Sequence, residues 1–218
     1  MIYGLLNGTE YANLHDSKEY KPFCFTNVFP FSKTIQAGER KSLFISSPDE
    51  KFIQTIRESL ERARNQETAL KIGCMSFRVD AWDRIALDFD SELSIKTFTP
   101  ILARLQPSER KQPFHFYWSE EYPQELLLRK VSDNVKKKFE SFTGKKVPRE
   151  APFLQQARLL SRKLISNQIT LHGYAHKTLA SHWMFRFERP YDESLINFAV
   201  DAGFGERNSL GYGFVVPT

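Results

Sequence analysis

The densest group of residues suited to ligand chemistry lies in the last sixteen positions, where glycine alternates with polar side chains. Glycine lets the backbone come close to a ligand and turn its amides inward, and one arginine adds positive charge. The run indicates a polyanion site, although a glycine-rich turn that binds nothing would use the same residues. The residues expected at this site are Gly203, Gly205, Arg207, Asn208, Ser209, Gly211 and Gly213.

The elements around this glycine run are predicted to be a helix before it and a strand after it. A nucleotide-binding loop of the usual kind is excluded, because no Lys-Ser or Lys-Thr pair closes the run and no helix follows it. Residues 192–202 place apolar side chains on one helical face. That face consists of Leu195, Ile196, Phe198, Ala199 and Ala202.

The order of residues over 203–215 resembles the C-terminal glycine-rich motif of the CRISPR-associated repeat-processing endoribonucleases of the RAMP superfamily. A second resemblance lies at the other end of the chain, in Leu14-His15-Asp16 and in the aromatic segment 21–26, which begins with Lys21. These segments are similar to the histidine motif of that family and to the lysine that precedes its aromatic strand. Two separate motifs at the expected ends support the resemblance better than either does alone.

The resemblance implies a metal-independent ribonuclease with no cofactor, whose catalytic residues are Tyr3, His15 and Lys21. Cleavage of RNA without a metal needs a general base, a general acid and positive charge near the phosphorane. Which of Tyr3 and His15 is the acid stays open, and Lys18 competes with Lys21. Because a straight helix would hold Tyr3 and His15 about 18 Å apart, the chain must turn between them, and we expect this turn at Asn7-Gly8.

Two other features invite functional readings. His172 and His176 lie four residues apart, as metal ligands on a helix would, but the segment reads better as a strand and the sequence offers no partner ligands nearby. We therefore expect no metal site. The basic run Lys136–Lys138 is expected to be the solvated face of a long helix rather than a set of specific contacts.

Composition agrees with a protein that binds nucleic acid. The chain has 218 residues, of which 41% are hydrophobic and 26% charged, and its formal net charge is +5. This balance is ordinary for a globular protein and favours a polyanionic partner. With only two cysteines, Cys24 and Cys74, and no signal peptide or long apolar segment, we expect a cytoplasmic protein that does not bind membranes.

The pattern of elements predicts an α+β fold made of two tandem ferredoxin-like (RRM-like) folds, as the resemblance also implies. Domain limits of 1–90 and 91–218 are expected, with the boundary near Asp88–Ser91. The first half reads as helix, strand (23–31), strand (42–46), a helix capped by Ser47 and Glu50, and a strand-rich stretch, so it lacks the initial strand of the fold. The second half reads as strand (93–105), helix (122–142), two strands (164–174 and 181–188), helix and strand. Its long helix is predicted to bury Tyr122, Leu126, Val131, Val135, Phe139 and Phe142.

Together, the motifs predict an endoribonuclease that cleaves precursor CRISPR RNA within its repeats to yield guide RNAs. The products would carry a 2′,3′-cyclic or 3′-phosphate and a 5′-hydroxyl. The alternative is a non-cleaving CRISPR RNA-binding subunit of an effector complex. Repeat RNA is the expected partner, other effector subunits are further candidates, and an unpaired sheet edge would also permit a homodimer.

Overall fold

A computed structural model describes residues 1–17, 20–85, 93–113, 115–148, 153–154, 157–171, 174–187 and 192–218; for residue 93, residues 157–171 and residues 174–178 it describes the backbone alone. Two compact units are present, one formed by Met1–Lys21 with Ser47–Ala86 and the other by Pro22–Ser46 with Leu87–Thr218. The boundary expected near Asp88–Ser91 lies outside the described residues. The domain limits of 1–90 and 91–218 therefore stay a prediction.

The described residues form α-helices and strands of very different lengths. In chain order they are α1 (Ile2–Leu5), β1 (Cys24–Phe25), β2 (Ile45–Ser46), α2 (Glu50–Asn65), β3 (Leu70–Ile72), β4 (Met75–Phe77), β5 (Leu93–Thr97), α3 (Gln124–Thr143), β6 (Ala157–Leu171), β7 (Tyr174–Phe187), α4 (Glu193–Ala202) and β8 (Val215–Pro217). No helix in the described stretches is both long and apolar enough to cross a bilayer.

The second compact unit contains a four-stranded antiparallel sheet in the order β6-β7-β5-β8. Its elements follow the chain as strand, helix, strand, strand, helix, strand, which is the ferredoxin-like arrangement predicted for this half. The strands β6 and β7 form one long hairpin, in which Ala157 pairs with Phe187 and Leu171 with Tyr174. The last strand, β8, pairs with β5, and this pairing fixes the position of the glycine-rich segment 203–213 that precedes β8.

The strands β1 and β2 are shorter than predicted, with two residues each. They pair antiparallel, Cys24 with Ser46 and Phe25 with Ile45, and they belong to the second compact unit. The aromatic alternation that suggested a strand over 23–31 continues only as an isolated bridge between Phe29 and Ser42. Alternation of residue types predicts which side chains share a face, but it does not show whether another strand is present to form the backbone hydrogen bonds.

Helix α2 begins two residues later than the sequence suggested. Its N-cap is Asp49, whose carboxylate accepts a hydrogen bond from the Phe52 amide at 3.1 Å. The predicted cap, Ser47, instead accepts a hydrogen bond from the amide of Asp49. Both residues are good caps, and the aspartate is favoured here because it also accepts a hydrogen bond from the Tyr11 hydroxyl at 2.7 Å.

Helix α3 begins at Gln124 rather than at the predicted Tyr122, which is buried just before it; the rest of the predicted stripe is buried with Leu127 in place of Leu126, except that Phe142 is exposed. The expectation for the basic run was wrong, since Lys136 and Lys138 are buried while Lys137 is exposed. Lys138 follows Val131 and Val135 at the i, i+4, i+7 spacing of one helical face, so the helix itself turns this lysine inward. Helix α4 buries the whole predicted face, and that prediction is confirmed.

We predict that Asp49→Ala lowers the free energy of unfolding by about 1–2 kcal/mol, because it removes the α2 cap and the acceptor of the Tyr11 hydroxyl together. Urea unfolding would measure the loss. Asp49→Asn is the matched control: it keeps a side-chain oxygen for the cap and should cost less than half as much. Equal losses for the two variants would contradict the assignment of the cap.

Candidate functional site

The glycine loop (Gly203–Gly213) joins α4 to β8, as the sequence predicted, and its backbone is packed against itself. Gly203, Gly205 and Gly213 are buried and have φ angles of +80°, +70° and +71°, which side-chain-bearing residues rarely adopt. A Cβ atom on Gly213 would lie 1.8 Å from the Phe204 carbonyl oxygen, and one on Gly205 would lie 2.5 Å from that of Leu102. These glycines are therefore needed for the loop to close.

Asn208 links the two sides of the loop from within. Its side chain is buried, and its amide nitrogen donates hydrogen bonds to the carbonyl oxygens of Phe204, at 3.2 Å, and Tyr212, at 2.9 Å. The Phe204 amide donates in turn to the Gly213 carbonyl at 2.8 Å. The asparagine predicted to touch RNA is thus a structural cross-link of the loop.

A buried lysine completes the interior of the loop. The ammonium of Lys138, on α3, donates hydrogen bonds to the carbonyl oxygens of Gly203 (3.0 Å) and Gly205 (2.5 Å) and to the Asn208 side-chain oxygen (2.6 Å). Three oxygen acceptors call for the protonated amine, which alone has three N–H donors. Burial acts in the opposite direction and lowers the pKa of Lys138 to about 7, while the negative charge of Glu206 raises it.

The residues of the loop that are not buried form a rim made of Glu206, Arg207, Ser209, Leu210 and Gly211; Leu210 is exposed and the others are half-buried. Arg207 has φ +58° and ψ +37°, a left-handed conformation that costs an arginine of order 1 kcal/mol. The amides of Gly211 and Gly213, which were expected to face a ligand, donate to the carbonyls of Asn208 and Pro100 instead. Within the predicted set, Arg207, Ser209 and Gly211 are the members accessible to a ligand, and RNA contact by any of the seven stays a prediction.

Strand β1 lies against the glycine loop, so the aromatic segment that follows Lys21 meets the glycine motif within the second unit. A Cβ atom on Gly211 would lie 3.3 Å from the Phe25 ring. The Cys24 thiol lies 3.0 Å from the Ser46 hydroxyl, which donates to the Asp201 carbonyl at the end of α4. Burial raises the pKa of Cys24 to about 12, so this thiol is protonated and structural.

Tyr3 and His15 come together in the first compact unit. Helix α1 ends at Leu5, Gly8 turns the chain at φ +75°, and a 3₁₀ turn (Ala12–Leu14) leads to the histidine. The two rings meet edge to face, with centroids 4.6 Å apart. The turn predicted between them is present.

His15 is accessible and oriented by its neighbour. Its side chain is 65% exposed, and its Nδ1 lies 2.9 Å from the Asp16 carboxylate, which leaves Nε2 for a substrate. The Lys21 ammonium donates to the Ser17 carbonyl at 3.0 Å and is thereby tied to the segment that follows the histidine. Lys18, the competing lysine, lies outside the described residues.

The family model for "CRISPR associated protein Cas6, C-terminal" matches residues 83–217, more than half of the chain. The chain belongs to the Cas6 family. Among curated relatives, the CRISPR-associated endoribonuclease Cas6 of Haloferax mediterranei is 28% identical, over 98% of this chain and 83% of the relative. Endoribonuclease Cas6 2 of Methanocaldococcus jannaschii is 26% identical, over 99% and 88%. A Pyrococcus horikoshii relative, 26% identical over 80% of this chain and 67% of its own length, is named a putative endoribonuclease-like protein, Cas6nc.

Solved structures of Cas6 and RAMP proteins share the fold of this chain. One, described as a RAMP protein binding different RNA substrates, has a TM-score of 0.73 at 22% identity, covering 100% of this chain and 88% of its own. Another, a Cas6 product complex, has a TM-score of 0.61 at 20% identity, covering 99% and 89%. The predicted α+β architecture with tandem ferredoxin-like folds is confirmed.

Lys138 is the residue of this Cas6-family site that sequence reasoning missed. Its position on the buried face of α3 was readable from the spacing to Val131 and Val135, but a run of three lysines normally signals solvent. Among the described residues, no group of three or more His, Cys, Asp or Glu side chains is placed to hold a metal ion. Of the histidine pair considered as ligands, His172 lies outside the described residues, as does the side chain of His176.

We predict that Gly213→Ala destabilises the protein at least twice as much as Gly144→Ala. Both glycines have the same left-handed φ, +71° and +70°, but a Cβ at Gly144 meets nothing within 4 Å. Gly144→Ala should therefore cost only the backbone strain, about 1 kcal/mol, whereas Gly213→Ala adds a collision with the Phe204 carbonyl. Thermal and urea unfolding would measure both, and equal losses would contradict the close packing of the loop.

Proposed function

We propose that this Cas6-family chain is a metal-independent endoribonuclease that cleaves precursor CRISPR RNA within its repeats to yield guide RNAs. The observation that carries the proposal is the pairing of Tyr3 with an exposed, carboxylate-oriented His15. The names of its relatives support the same activity. Sites for general acid-base chemistry need such accessible, oriented groups.

The proposed reaction is an internal transesterification. A base removes the proton of a 2′-hydroxyl, the 2′-oxygen attacks the adjacent phosphorus, and the bond from phosphorus to the 5′-oxygen breaks while an acid protonates that oxygen. The products are a 2′,3′-cyclic phosphate, which water can open to a 3′-phosphate, and a 5′-hydroxyl. The nucleophile comes from the RNA itself, so the protein supplies only proton transfer and charge.

In this proposal, His15 and Tyr3 divide the roles of base and acid. The Asp16 carboxylate orients the imidazole through Nδ1, which leaves Nε2 to exchange a proton with the RNA. Lys21 supplies positive charge to the phosphorane, which carries more negative charge than the ground state. Its hydrogen bond to the Ser17 carbonyl holds the ammonium to a defined place in the chain.

The proposed RNA contacts of the glycine loop are on its rim. Arg207 would pair with a backbone phosphate, and Ser209 and Gly211 would allow the RNA to come close to the backbone. The buried members, Gly203, Gly205, Asn208 and Gly213, would act through the shape of the loop. The net charge of +5 favours association with RNA as a whole.

The remaining expectations for the cellular setting are part of the same proposal. Repeat RNA is the partner, other effector subunits and a second copy of the chain are further candidates, and the compartment is the cytoplasm. Cys24 and Cys74 are both free thiols, which suits a reducing compartment.

A non-cleaving RNA-binding subunit is the second candidate function. It is favoured by the Pyrococcus horikoshii relative, which is named endoribonuclease-like rather than endoribonuclease. Such a protein would keep the glycine loop and lose the chemistry of Tyr3 and His15. Cleavage therefore separates the two candidates, whereas RNA binding does not.

We predict that the purified chain cuts its cognate repeat RNA at one defined position in EDTA, and that His15→Ala lowers the single-turnover rate by about 100-fold or more. Asn13→Ala, an exposed neighbour in the same 3₁₀ turn, is the matched control and should stay within about threefold of the wild type. Gel electrophoresis of end-labelled RNA would give the rates and the end groups.

Three outcomes would contradict the proposal. RNA binding without a cut would favour the non-cleaving subunit. Cleavage only after a divalent metal is added would contradict metal independence. Undiminished cleavage by His15→Ala would remove this histidine from the mechanism.

A further inference from the structure

The buried ammonium of Lys138 lies in the interior of the glycine loop, where it donates hydrogen bonds to three oxygen atoms. Two of its acceptors flank Arg207: the Gly205 carbonyl lies two residues before the arginine, and the Asn208 side chain belongs to the residue after it. A third, the Gly203 carbonyl, lies at the end of α4. The Lys138 side chain thereby holds the residues on both sides of Arg207 in place.

Arg207 needs such support because its backbone conformation is unfavourable for an arginine. Left-handed φ and ψ angles persist at a non-glycine residue when its surroundings hold them. Next to Arg207, the Glu206 amide donates to the Leu102 carbonyl and the Leu210 amide donates to the Arg207 carbonyl, both at 2.9 Å. These backbone bonds fix the neighbouring peptides, and the Lys138 ammonium joins Gly205 and Asn208 across the loop interior.

We propose that Lys138 is a positioning residue for RNA binding: its buried ammonium fixes the glycine loop so that Arg207 is presented to the RNA backbone. This inference rests on the proposed function, in which the rim of the loop contacts RNA. It assigns Lys138 an effect on affinity that acts through Arg207, without contact between Lys138 and the RNA.

A simpler role would be that Lys138 adds one positive charge to a basic protein. Lys137 allows the two roles to be separated, because it is the next residue on the same helix and is exposed. At a pH below the pKa of Lys138, Lys137→Met and Lys138→Met each remove one positive charge. A long-range effect of charge would weaken RNA binding to a similar extent in both variants, whereas a positioning effect would be confined to Lys138.

The test is a double-mutant cycle on RNA affinity in the full-length chain, with His15→Ala in every variant so that the repeat RNA stays uncut. Affinity is measured for Lys138→Met, for Arg207→Ala and for the two together, at a temperature where circular dichroism shows every variant folded. A second cycle replaces Lys138→Met by Lys137→Met. Residues that act through one another give non-additive changes in such cycles.

We expect Lys138→Met and Arg207→Ala each to weaken RNA binding about tenfold, and Arg207→Ala to add less than about twofold once Lys138 is gone. Lys137→Met should weaken binding by no more than about threefold and should be additive with Arg207→Ala. A merely structural role of Lys138 would lower the melting temperature but would leave the effect of Arg207→Ala intact in folded protein.

Additivity of Lys138→Met with Arg207→Ala would overturn the inference, as would equal effects of Lys137→Met and Lys138→Met. Lys138→Gln, which retains two N–H donors, takes the place of Lys138→Met if the methionine variant does not fold. Failure of both variants to fold would overturn the inference too, because Lys138 would then serve the stability of the whole unit. If the parent protein, which carries only His15→Ala, binds no repeat RNA, the proposed function is wrong. If the parent binds the RNA but the effects of Lys138→Met and Arg207→Ala are additive, only the inference about Lys138 is wrong.

Discussion

The glycine loop depends on one interaction that its own sequence does not contain, the buried ammonium of Lys138. Three oxygen atoms of the loop accept its hydrogen bonds, and the lysine comes from α3, 65 residues or more before them in the chain. Leaving these acceptors without donors in a buried site would cost free energy at each of them. Burial disfavours the charged form of Lys138, and its hydrogen bonds to the loop oxygens offset this cost. The ammonium in turn supplies the donors that these buried oxygens need.

This constraint divides the glycine motif into an interior and a rim. The interior holds Gly203, Gly205 and Gly213, where backbone approaches backbone too closely for a side chain. The rim carries Arg207 in a strained conformation and leaves Ser209 and Gly211 accessible. If the rim contacts RNA as proposed, packing and ligand contact occupy adjacent positions of the motif, and residue type alone does not tell which glycine has which role.

Much of the fold and part of the site were predictable because they depend on local chemistry. The buried face of α4, the helix-to-strand context of the glycine loop and the turn between Tyr3 and His15 follow from periodicity and from glycine. The cap of α2 was misplaced from Asp49 to Ser47 because both residues can cap, and the Tyr11 hydroxyl that favours Asp49 comes from a distant part of the sequence. Lys138 was missed for the same reason, since its acceptors are supplied by tertiary structure.

The central claim is that Lys138 is a buried cation held by the glycine loop, and its own titration tests this most directly. NMR of the full-length protein with isotope-labelled lysine would follow the side-chain signal with pH, and Lys138→Met would identify the signal by its loss. The account predicts that the signal titrates below the ordinary lysine pKa of 10.5, because burial lowers the pKa of this amine, and that Asn208→Ala, which removes one of its three acceptors, shifts the signal. A signal that titrates at 10.5 and is unchanged in Asn208→Ala, as for a solvated lysine, would contradict the account.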